Sequence, residues 1–216
     1  MKTQFFLIGL KFKCLFVALN YQNSFLKRFL LHIFCVISLL NYAQQNDKLA
    51  TKAKEALSFC KKNKMNTEYC FLVDFSVHSG KNRFFIYDFK NNTIIQSGLV
   101  CHGVGKNSTT EKPVYSNEVG SNCSSLGKYK IGKRAYSNWG INIHYKMHGL
   151  ESTNTNAFKR QVVLHSYSYV SETELFPAHL TLGWSQGCPV LANGLMKKID
   201  AMLQKTKKPT LIWIFE

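Results

Sequence analysis

The spacing of apolar residues changes once along the chain, and this change constrains the fold more than any other feature of the sequence. Residues 47–63 carry apolar side chains at helical spacing with lysines between them, which predicts an amphipathic helix. Downstream, residues 69–76, 83–89 and 93–102 are β-branched and aromatic segments separated by turn-rich stretches, which is typical of a β-meander. The sequence therefore predicts a mainly β domain that begins with a helix.

More strand-like segments follow the meander. They lie at residues 127–131, 140–146, 161–165 and 210–215. Residues 103–125 are rich in Gly, Ser, Asn and Thr, and we expect this long loop to lie beside a functional cleft. Before the last strand, an apolar stripe that includes Leu195 and Ile199 predicts a second helix, with Asn193 as its N-cap.

The first 43 residues have the composition of a targeting segment, with five Lys or Arg and no Asp or Glu. Lys27 and Arg28 precede an apolar run at 29–40, and the small residue Ala43 follows, as in the charged, apolar and cleavable regions of a secretory signal. The run is short for a membrane span. We therefore expect an export signal over residues 1–43. An uncleaved membrane anchor and a downstream start codon are open alternatives.

The chain is strongly basic, with a formal net charge of +16 at pH 7, and it stays basic without its N-terminal segment. Such a field attracts polyanions, so we expect an anionic partner in the periplasm or cell envelope. Nucleic acid is not expected, because the sequence has no aromatic-interleaved RNA motif, zinc-finger spacing or basic helix. We expect no membrane span in the mature domain and no cofactor, and the oligomeric state is open.

The part of the chain after residue 43 contains five cysteines, an odd number in a compartment that permits disulfides. They are Cys60, Cys70, Cys101, Cys123 and Cys188. One of them can therefore act as a free thiol. The pairing of the other four is open, because several connectivities are compatible with their spacing.

The segment most indicative of chemistry runs from Ser185 to Pro189. Gly187 allows a tight turn, and Pro189 stops a strand from continuing, so the thiol of Cys188 is presented on a bend. Backbone N–H groups on such a bend can point at a developing oxyanion, as acyl transfer requires. A buried structural cysteine is the alternative interpretation.

A nucleophilic cysteine needs a base within reach, and three histidines are candidates. His165 ends the apolar segment 162–164, so it can emerge at the tip of a strand. His102 and His148, each followed by a glycine, lie in similar settings, and periodicity alone cannot rank the three. For each of them, a hydrogen-bonded structural histidine is the alternative.

A histidine near a strand end, followed downstream by Ser-x-Gly-Cys, resembles the catalytic domain of the L,D-transpeptidases (YkuD-type), and His165 with Cys188 fits that motif. Further segments look like the murein subgroup of Gram-negative bacteria, which has Gly-Cys-Pro at this point. These segments are Val73–Ser76, Arg83–Phe84, His102–Gly103, Ser116–Asn117, Ser124–Tyr129, Gly149–Glu151 and Gly187–Pro189. The combined pattern is specific, whereas each piece alone is weak.

The resemblance, which covers residues 68–214, implies a fold and a domain organisation. The implied fold is a β-sandwich or barrel with an N-terminal helix and a second helix after the catalytic cysteine. The implied parts are an export signal or anchor over residues 1–43, a helix and linker over 44–67, and the catalytic domain over 68–216.

The resemblance also implies a function. Cys188 would attack a peptidoglycan stem peptide at an L-to-D junction, release D-Ala and hold the rest as a thioester, with His165 as its base. An acceptor amine would complete an L,D-transpeptidase reaction, whereas water would make the protein an L,D-carboxypeptidase. Backbone N–H groups at Gly187 and Cys188 would stabilise the oxyanion. Ser185 would orient His165 or contact substrate, or else satisfy the turn backbone. Residues expected to contact substrate are His102, Tyr167, Trp184 and Gln186.

Two positions depart from the family pattern. Ser166 stands where many members have a glycine after the histidine, and Gln186 stands where many have a histidine. These departures leave the third catalytic partner and the substrate preference open. A basic wall-binding module that has lost catalysis is therefore a second hypothesis.

A zinc peptidase is a third hypothesis, because His144 and His148 lie four residues apart and His165 and His179 could complete a site. No glutamate lies between the first two in the pattern of helical zincins, and the region has the composition of a strand. A papain-like enzyme is disfavoured, since its cysteine precedes its histidine in sequence.

Overall fold

The computed structural model describes residues 24–216, which fall into two compact units that divide between residues 47 and 48. The first helix, α1, spans Ser24–Lys62, so the predicted boundary after residue 43 falls within a helix. Residues 1–23 of the predicted export signal lie outside the described residues. In the described part of the chain, no helix has the length and apolar content that crossing a membrane requires. The division into signal, linker and domain stays a prediction.

Nine strands and a second helix follow α1. They are β1 Tyr69–Asp74, β2 Phe84–Asp88, β3 Thr93–Gly98, β4 Val100–Cys101, β5 Gly127–Tyr136, β6 Ile143–Gly149, β7 Val163–Ser166, β8 Val190–Leu191, α2 Asn193–Lys205 and β9 Leu211–Phe215. The sheet has the order β3-β2-β1-β9-β5-β6-β7-β8-β4. Neighbouring strands are antiparallel except for the parallel pairs β1–β9 and β7–β8.

The two ends of the sheet lie next to each other. β3 and β4 occupy opposite ends of the strand order, although a single residue, Leu99, separates them in sequence. The sheet must therefore curl until its ends meet, and it forms a nearly closed barrel. The predicted mainly β fold, with one helix before the sheet and one after Cys188, is confirmed.

The prediction of one continuous strand over residues 93–102 is wrong, because the structure divides this segment into β3 and β4. The ladder with β2 ends where Gly98 O accepts a hydrogen bond from Arg83 N at 3.1 Å. Beyond this point Val100 and Cys101 pair with β8 instead. The buried Arg83 guanidinium donates to Val100 O at 3.0 and 2.8 Å, which satisfies a carbonyl beside the break.

Apolar layers cover both faces of the sheet. The stripe of α2 that contains Leu195 and Ile199 packs in one cluster with residues of β1, β2, β5, β6 and β9. Ala53, Ala56 and Cys60 of α1 pack in a second cluster with the opposite side chains of β1, β2 and β9. All six residues of β1 are buried, because this strand is covered on both faces. The apolar stripes predicted for the two helices are confirmed.

The start of α2 differs from the prediction. Its N-cap residue is Ala192, without a side-chain capping bond, so the expectation that Asn193 caps this helix is wrong. A carboxylate from another loop takes this role, since Gly194 N donates to Glu172 Oε1 at 2.6 Å. A negative charge is favourable here because the N-terminal end of a helix dipole is positive.

Candidate active site

A pocket of about 810 Å³ lies where β6, β7 and the segment before β8 meet. It collects five of the eight residues that the sequence singled out, namely His165, Tyr167, Trp184, Gln186 and Cys188. The other three do not line it; these are His102, Ser185 and Gly187. The long loop contributes Val119, Gly120 and Asn122 to the wall of the pocket. The loop therefore lies beside a cleft, and the expectation that this cleft is functional stays a prediction.

Cys188 lies two residues before β8, and the parallel pairing of β8 with β7 brings it to the start of β7. Its Sγ accepts a hydrogen bond from Val163 N at 3.4 Å. Desolvation raises the pKa of the Cys188 thiol, while the Val163 N–H and the charges of Arg160 and Lys146 oppose this shift. The thiol is therefore protonated at neutral pH, and it needs a base in order to become a nucleophile.

His165 is buried on β7 and holds a defined tautomer. Its Nδ1 lies 3.0 Å from the backbone carbonyl oxygen of Ser166. Because a carbonyl only accepts, Nδ1 carries the proton and Nε2 keeps a free lone pair. Desolvation lowers the pKa of His165, His144 lowers it further, and the Ser166 carbonyl opposes them. The imidazole is thus a neutral group that can accept a proton at Nε2.

His165 and Cys188 line the same pocket. Among the residues that the structure describes, no hydrogen bond joins the imidazole to the thiol sulfur. Catalytic hydrogen bonds are often long in the absence of substrate and shorten when it binds. The arrangement therefore fits a pair that becomes engaged when a ligand fills the pocket.

The turn before Cys188 is held by Ser185, which is buried. Ser185 Oγ donates to Cys188 O at 2.6 Å and accepts from Gly187 N at 3.0 Å. Both bonds are local to the turn, and neither reaches His165. The geometry thus agrees with the simplest of the three predicted roles, in which Ser185 satisfies the turn backbone.

Gly187 adopts a backbone conformation that only glycine reaches easily, with φ +112°. A Cβ at this position would lie 2.6 Å from Cys123 O. We expect Gly187→Ala to lower the free energy of unfolding by about 2–4 kcal/mol, because steric overlap adds to backbone strain. Urea denaturation measures this loss.

The matched control for this substitution is Gly183→Ala. Gly183 has φ +117°, and a Cβ added there would have no atom of the described residues within 4 Å. This variant therefore reports backbone strain alone. We expect it to lose about 1–2 kcal/mol of stability. Equal losses in the two variants would contradict the steric account of Gly187.

His102 is buried in the core, and both of its ring nitrogens make hydrogen bonds there. Arg83 Nη2 donates to its Nδ1 at 2.9 Å, and its Nε2 lies 2.8 Å from Thr109 O. Burial and the neighbouring Arg83 charge lower the pKa of His102 to about 4. Both ring nitrogens are therefore used by structural hydrogen bonds, and this histidine is a neutral partner of a buried arginine.

The pocket is also lined by three cationic side chains that were not predicted from the sequence. They are Lys146, Lys159 and Arg160, and no Asp or Glu lines the described wall of the pocket. Lys146 could have been found from the alternation along β6, which places it on the same face as His144. Arg160 is held by carbonyls of the long loop, since Nη1 donates to Ser116 O at 2.9 Å and Nη2 donates to Cys123 O.

His144 also lines the pocket. It is the direct cross-strand partner of His165 in the pairing of β6 with β7. Its buried Nε2 has no hydrogen-bond partner among the described residues. His148 instead stacks on Phe158 at 5.2 Å, and His179 stacks on His78 at 3.7 Å. Within residues 24–216, no group of three or more His, Cys, Asp or Glu is placed to hold a metal ion.

Of the five cysteines after residue 43, the four other than Cys188 are buried and free. They are Cys60, Cys70, Cys101 and Cys123. Burial raises the pKa of Cys60 to about 11 and that of Cys101 to about 12. Cys188 is the least buried of the five, and it is the one that lines the pocket.

Comparison with known proteins identifies a family. The family model described as L,D-transpeptidase catalytic domain matches residues 41–214. No curated protein matches the sequence.

Solved structures with a similar arrangement are distant in sequence. The helical cell shape determining protein Pgp2 from Campylobacter jejuni is 14% identical, with a TM-score of 0.42 over 68% of this chain and 47% of that one. An L,D-transpeptidase from Mycobacterium smegmatis is 10% identical, with a TM-score of 0.38 over 69% and 59% of the two chains. The chain thus spans about half of the length of Pgp2.

Proposed function

The chain belongs to the L,D-transpeptidase catalytic-domain family, and on this premise we propose that it is an exported, cysteine-dependent L,D-transpeptidase that acts on peptidoglycan stem peptides in the cell envelope. The family predicted from the sequence is confirmed, whereas the Gly-Cys-Pro murein subgroup stays a prediction. The observation that carries the proposal is one pocket that is lined by both the thiol of Cys188 and the imidazole of His165.

The first half of the proposed reaction forms a thioester. His165 Nε2 takes the proton of Cys188 Sγ as the sulfur attacks the carbonyl carbon at the L-to-D junction of a donor stem. The imidazolium then gives this proton to the nitrogen of the leaving D-Ala, and the C–N bond breaks. The Ser166 carbonyl supports both steps, because its bond to Nδ1 stabilises the imidazolium and keeps Nε2 aimed away from the backbone.

The second half transfers the acyl group to an acceptor. The amine of a second stem attacks the thioester carbonyl and gives a proton to His165 Nε2, and the C–S bond breaks as the thiol of Cys188 regains a proton. The products are a new amide crosslink and the free enzyme. With water as the acceptor, the same steps release a shortened stem.

The oxyanion of each tetrahedral intermediate needs donors near Cys188. The N–H of Gly187 is already used by Ser185 Oγ. The backbone N–H of Cys188 has no partner among the described residues, so it is available as a donor on this turn. One such donor contributes on the order of 3 kcal/mol to the transition state in enzymes where it has been removed.

The charge of the pocket supports an anionic peptide as the ligand. Lys146, Lys159 and Arg160 line it, no carboxylate lines the part of its wall that the structure describes, and stem peptides carry free carboxylates. Opposite charge concentrates such a ligand at the site and orients it before reaction. The basic surface of the whole chain favours the anionic wall in the same way.

The test is intact-mass analysis of the protein after incubation with a defined tetrapeptide stem. We expect a mass increase equal to the mass of the stem minus the mass of free D-Ala, carried by Cys188, together with crosslinked stem dimers. Cys188→Ala should give neither product. Adduct with shortened stem but no dimers would indicate a carboxypeptidase, and binding without any adduct would overturn the proposal in favour of a wall-binding module.

A further inference from the structure

Four aromatic side chains form a continuous surface beside the pocket, which we call the aromatic shelf. Its members are Trp139, Tyr167, Tyr169 and Trp184. Tyr167 contacts the other three, with ring centroids 5.6 Å from Trp139, 5.3 Å from Tyr169 and 5.2 Å from Trp184. Tyr169 and Trp184 lie stacked at 5.6 Å with an interplanar angle of 16°. The shelf is therefore one packed unit rather than four separate side chains.

Two rings of the shelf are more exposed to solvent than is usual for large aromatic side chains. Trp139 is 54% exposed and Tyr169 is 72% exposed, although burying such rings is strongly favourable. Tyr136, which also lines the pocket, is 71% exposed. Clustered exposed aromatic surface beside a pocket marks a binding site.

We propose that the aromatic shelf binds a pyranose ring of the peptidoglycan glycan strand, so that the enzyme holds the sugar to which the donor stem is attached. This inference rests on the proposed function, because it assigns a second part of the same substrate. The face of an aromatic ring is negative and its partner must present weakly positive hydrogens, as the C–H groups on the flat face of a pyranose do.

The surroundings of the shelf suit a sugar better than a charged or purely apolar ligand. All cation–π contacts among the described residues lie elsewhere, so no lysine or arginine covers these ring faces. Polar side chains flank the rings within the pocket wall, including Ser137, Asn138 and Gln186. Such groups can bond to the hydroxyl and acetamido groups at the edge of a pyranose.

The position of the shelf agrees with the chemistry of the substrate. Trp139, Tyr167 and Trp184 line the same pocket as Cys188 and His165. In peptidoglycan the stem peptide is bonded covalently to a sugar of the strand. A stem that places its peptide at Cys188 therefore brings its sugar to the rim of the same pocket.

A direct binding experiment tests the shelf without requiring turnover. The probe is a soluble glycan strand from which all stem peptides have been removed, titrated against the full chain while tryptophan fluorescence is followed. Trp139 and Trp184 should report binding, whereas the third tryptophan, Trp213, is buried on β9. We expect saturable binding, weakened about tenfold in Trp139→Ala and in Tyr169→Ala, as loss of one good aromatic contact predicts.

The matched control is Phe176→Ala. Phe176 is 54% exposed, the same as Trp139, but does not line the pocket, so its loss should leave the affinity for the strand unchanged. No binding by the unmodified protein, or equal weakening in all three variants, would overturn the inference.

A kinetic experiment separates this inference from the proposed function. The quantity measured is the ratio of kcat/KM for a disaccharide-linked tetrapeptide to kcat/KM for the free tetrapeptide. We expect the ratio to be about ten in the unmodified protein and to fall to about one in the Trp139→Ala, Tyr169→Ala double variant. An unchanged ratio would refute the shelf alone. If neither substrate acylates Cys188, the proposed function fails, and the strand titration still decides whether the shelf binds sugar.

Discussion

Cys188→Ser should lower kcat/KM for the tetrapeptide stem by about 10⁴-fold or more, the scale seen when an enzyme loses its nucleophile. A serine hydroxyl has nearly the same shape as the thiol but is a much weaker acid, so neutral His165 cannot activate it as well. The release of D-Ala in a single turnover measures the effect. The variant should keep its fold, since the hydroxyl can still accept the bond from Val163 N.

A second thiol serves as the control for this substitution. Cys60→Ala removes a fully buried sulfur from the interface between α1 and the sheet. We expect it to cost about 1–2 kcal/mol of stability through a small cavity while the release of D-Ala continues. Normal turnover by Cys188→Ser, or a collapse of turnover in Cys60→Ala, would contradict the assignment of the nucleophile.

His165→Gln should lower kcat/KM by about 10²- to 10⁴-fold, the range typical of losing a positioned general base. The same variant should change the pH dependence. Because burial lowers the pKa of His165 below its ordinary value of 6.5, the unmodified enzyme should gain activity as pH rises through a pKa below 6.5. It should then keep a plateau across neutral pH, where the thiol of Cys188, with its raised pKa, is still protonated.

The acid limb of that profile is the diagnostic feature, because a purely structural role of His165 would leave it in place. His165→Gln should lose the limb together with most of the activity. His148→Gln is the control, since His148 lies on the adjacent strand, stacks on Phe158 and does not line the pocket. A limb that persists in His165→Gln, or one that disappears in His148→Gln, would assign the base elsewhere.

Local pattern predicted most of the elements of the fold. Ala53, Ala56 and Cys60 recur at helical spacing, and each meets the sheet. The segments that became β1 and β2 could be recognised because their β-branched and aromatic residues are bounded by turns. The division at Leu99 could not be predicted, because it depends on Val100 finding a partner in β8, roughly ninety residues further along the chain.

In the candidate site, too, some features could be predicted from local sequence and others could not. The turn at Gly187 and Cys188 could be recognised from residue type, since glycine conformation is a local property. The ranking of His165 over His102 and His148 came from family resemblance, because all three have similar neighbours in sequence. Only the fold distinguishes them physically, by placing Arg83 against His102 and Phe158 against His148.

By itself, the amino-acid sequence determined the kinds of elements, the family and the two side chains on which the proposed chemistry depends. Each of these depends on the identity of single residues and on their spacing over a short stretch of the chain. The tertiary structure alone decided that Arg160 lines the same pocket as the thiol of Cys188, that Ser185 holds the turn, and that Trp139 and Tyr169 lie exposed in one shelf. These properties arise when the sheet curls and brings distant segments together, and no local spacing in the chain encodes which distant side chains will then meet.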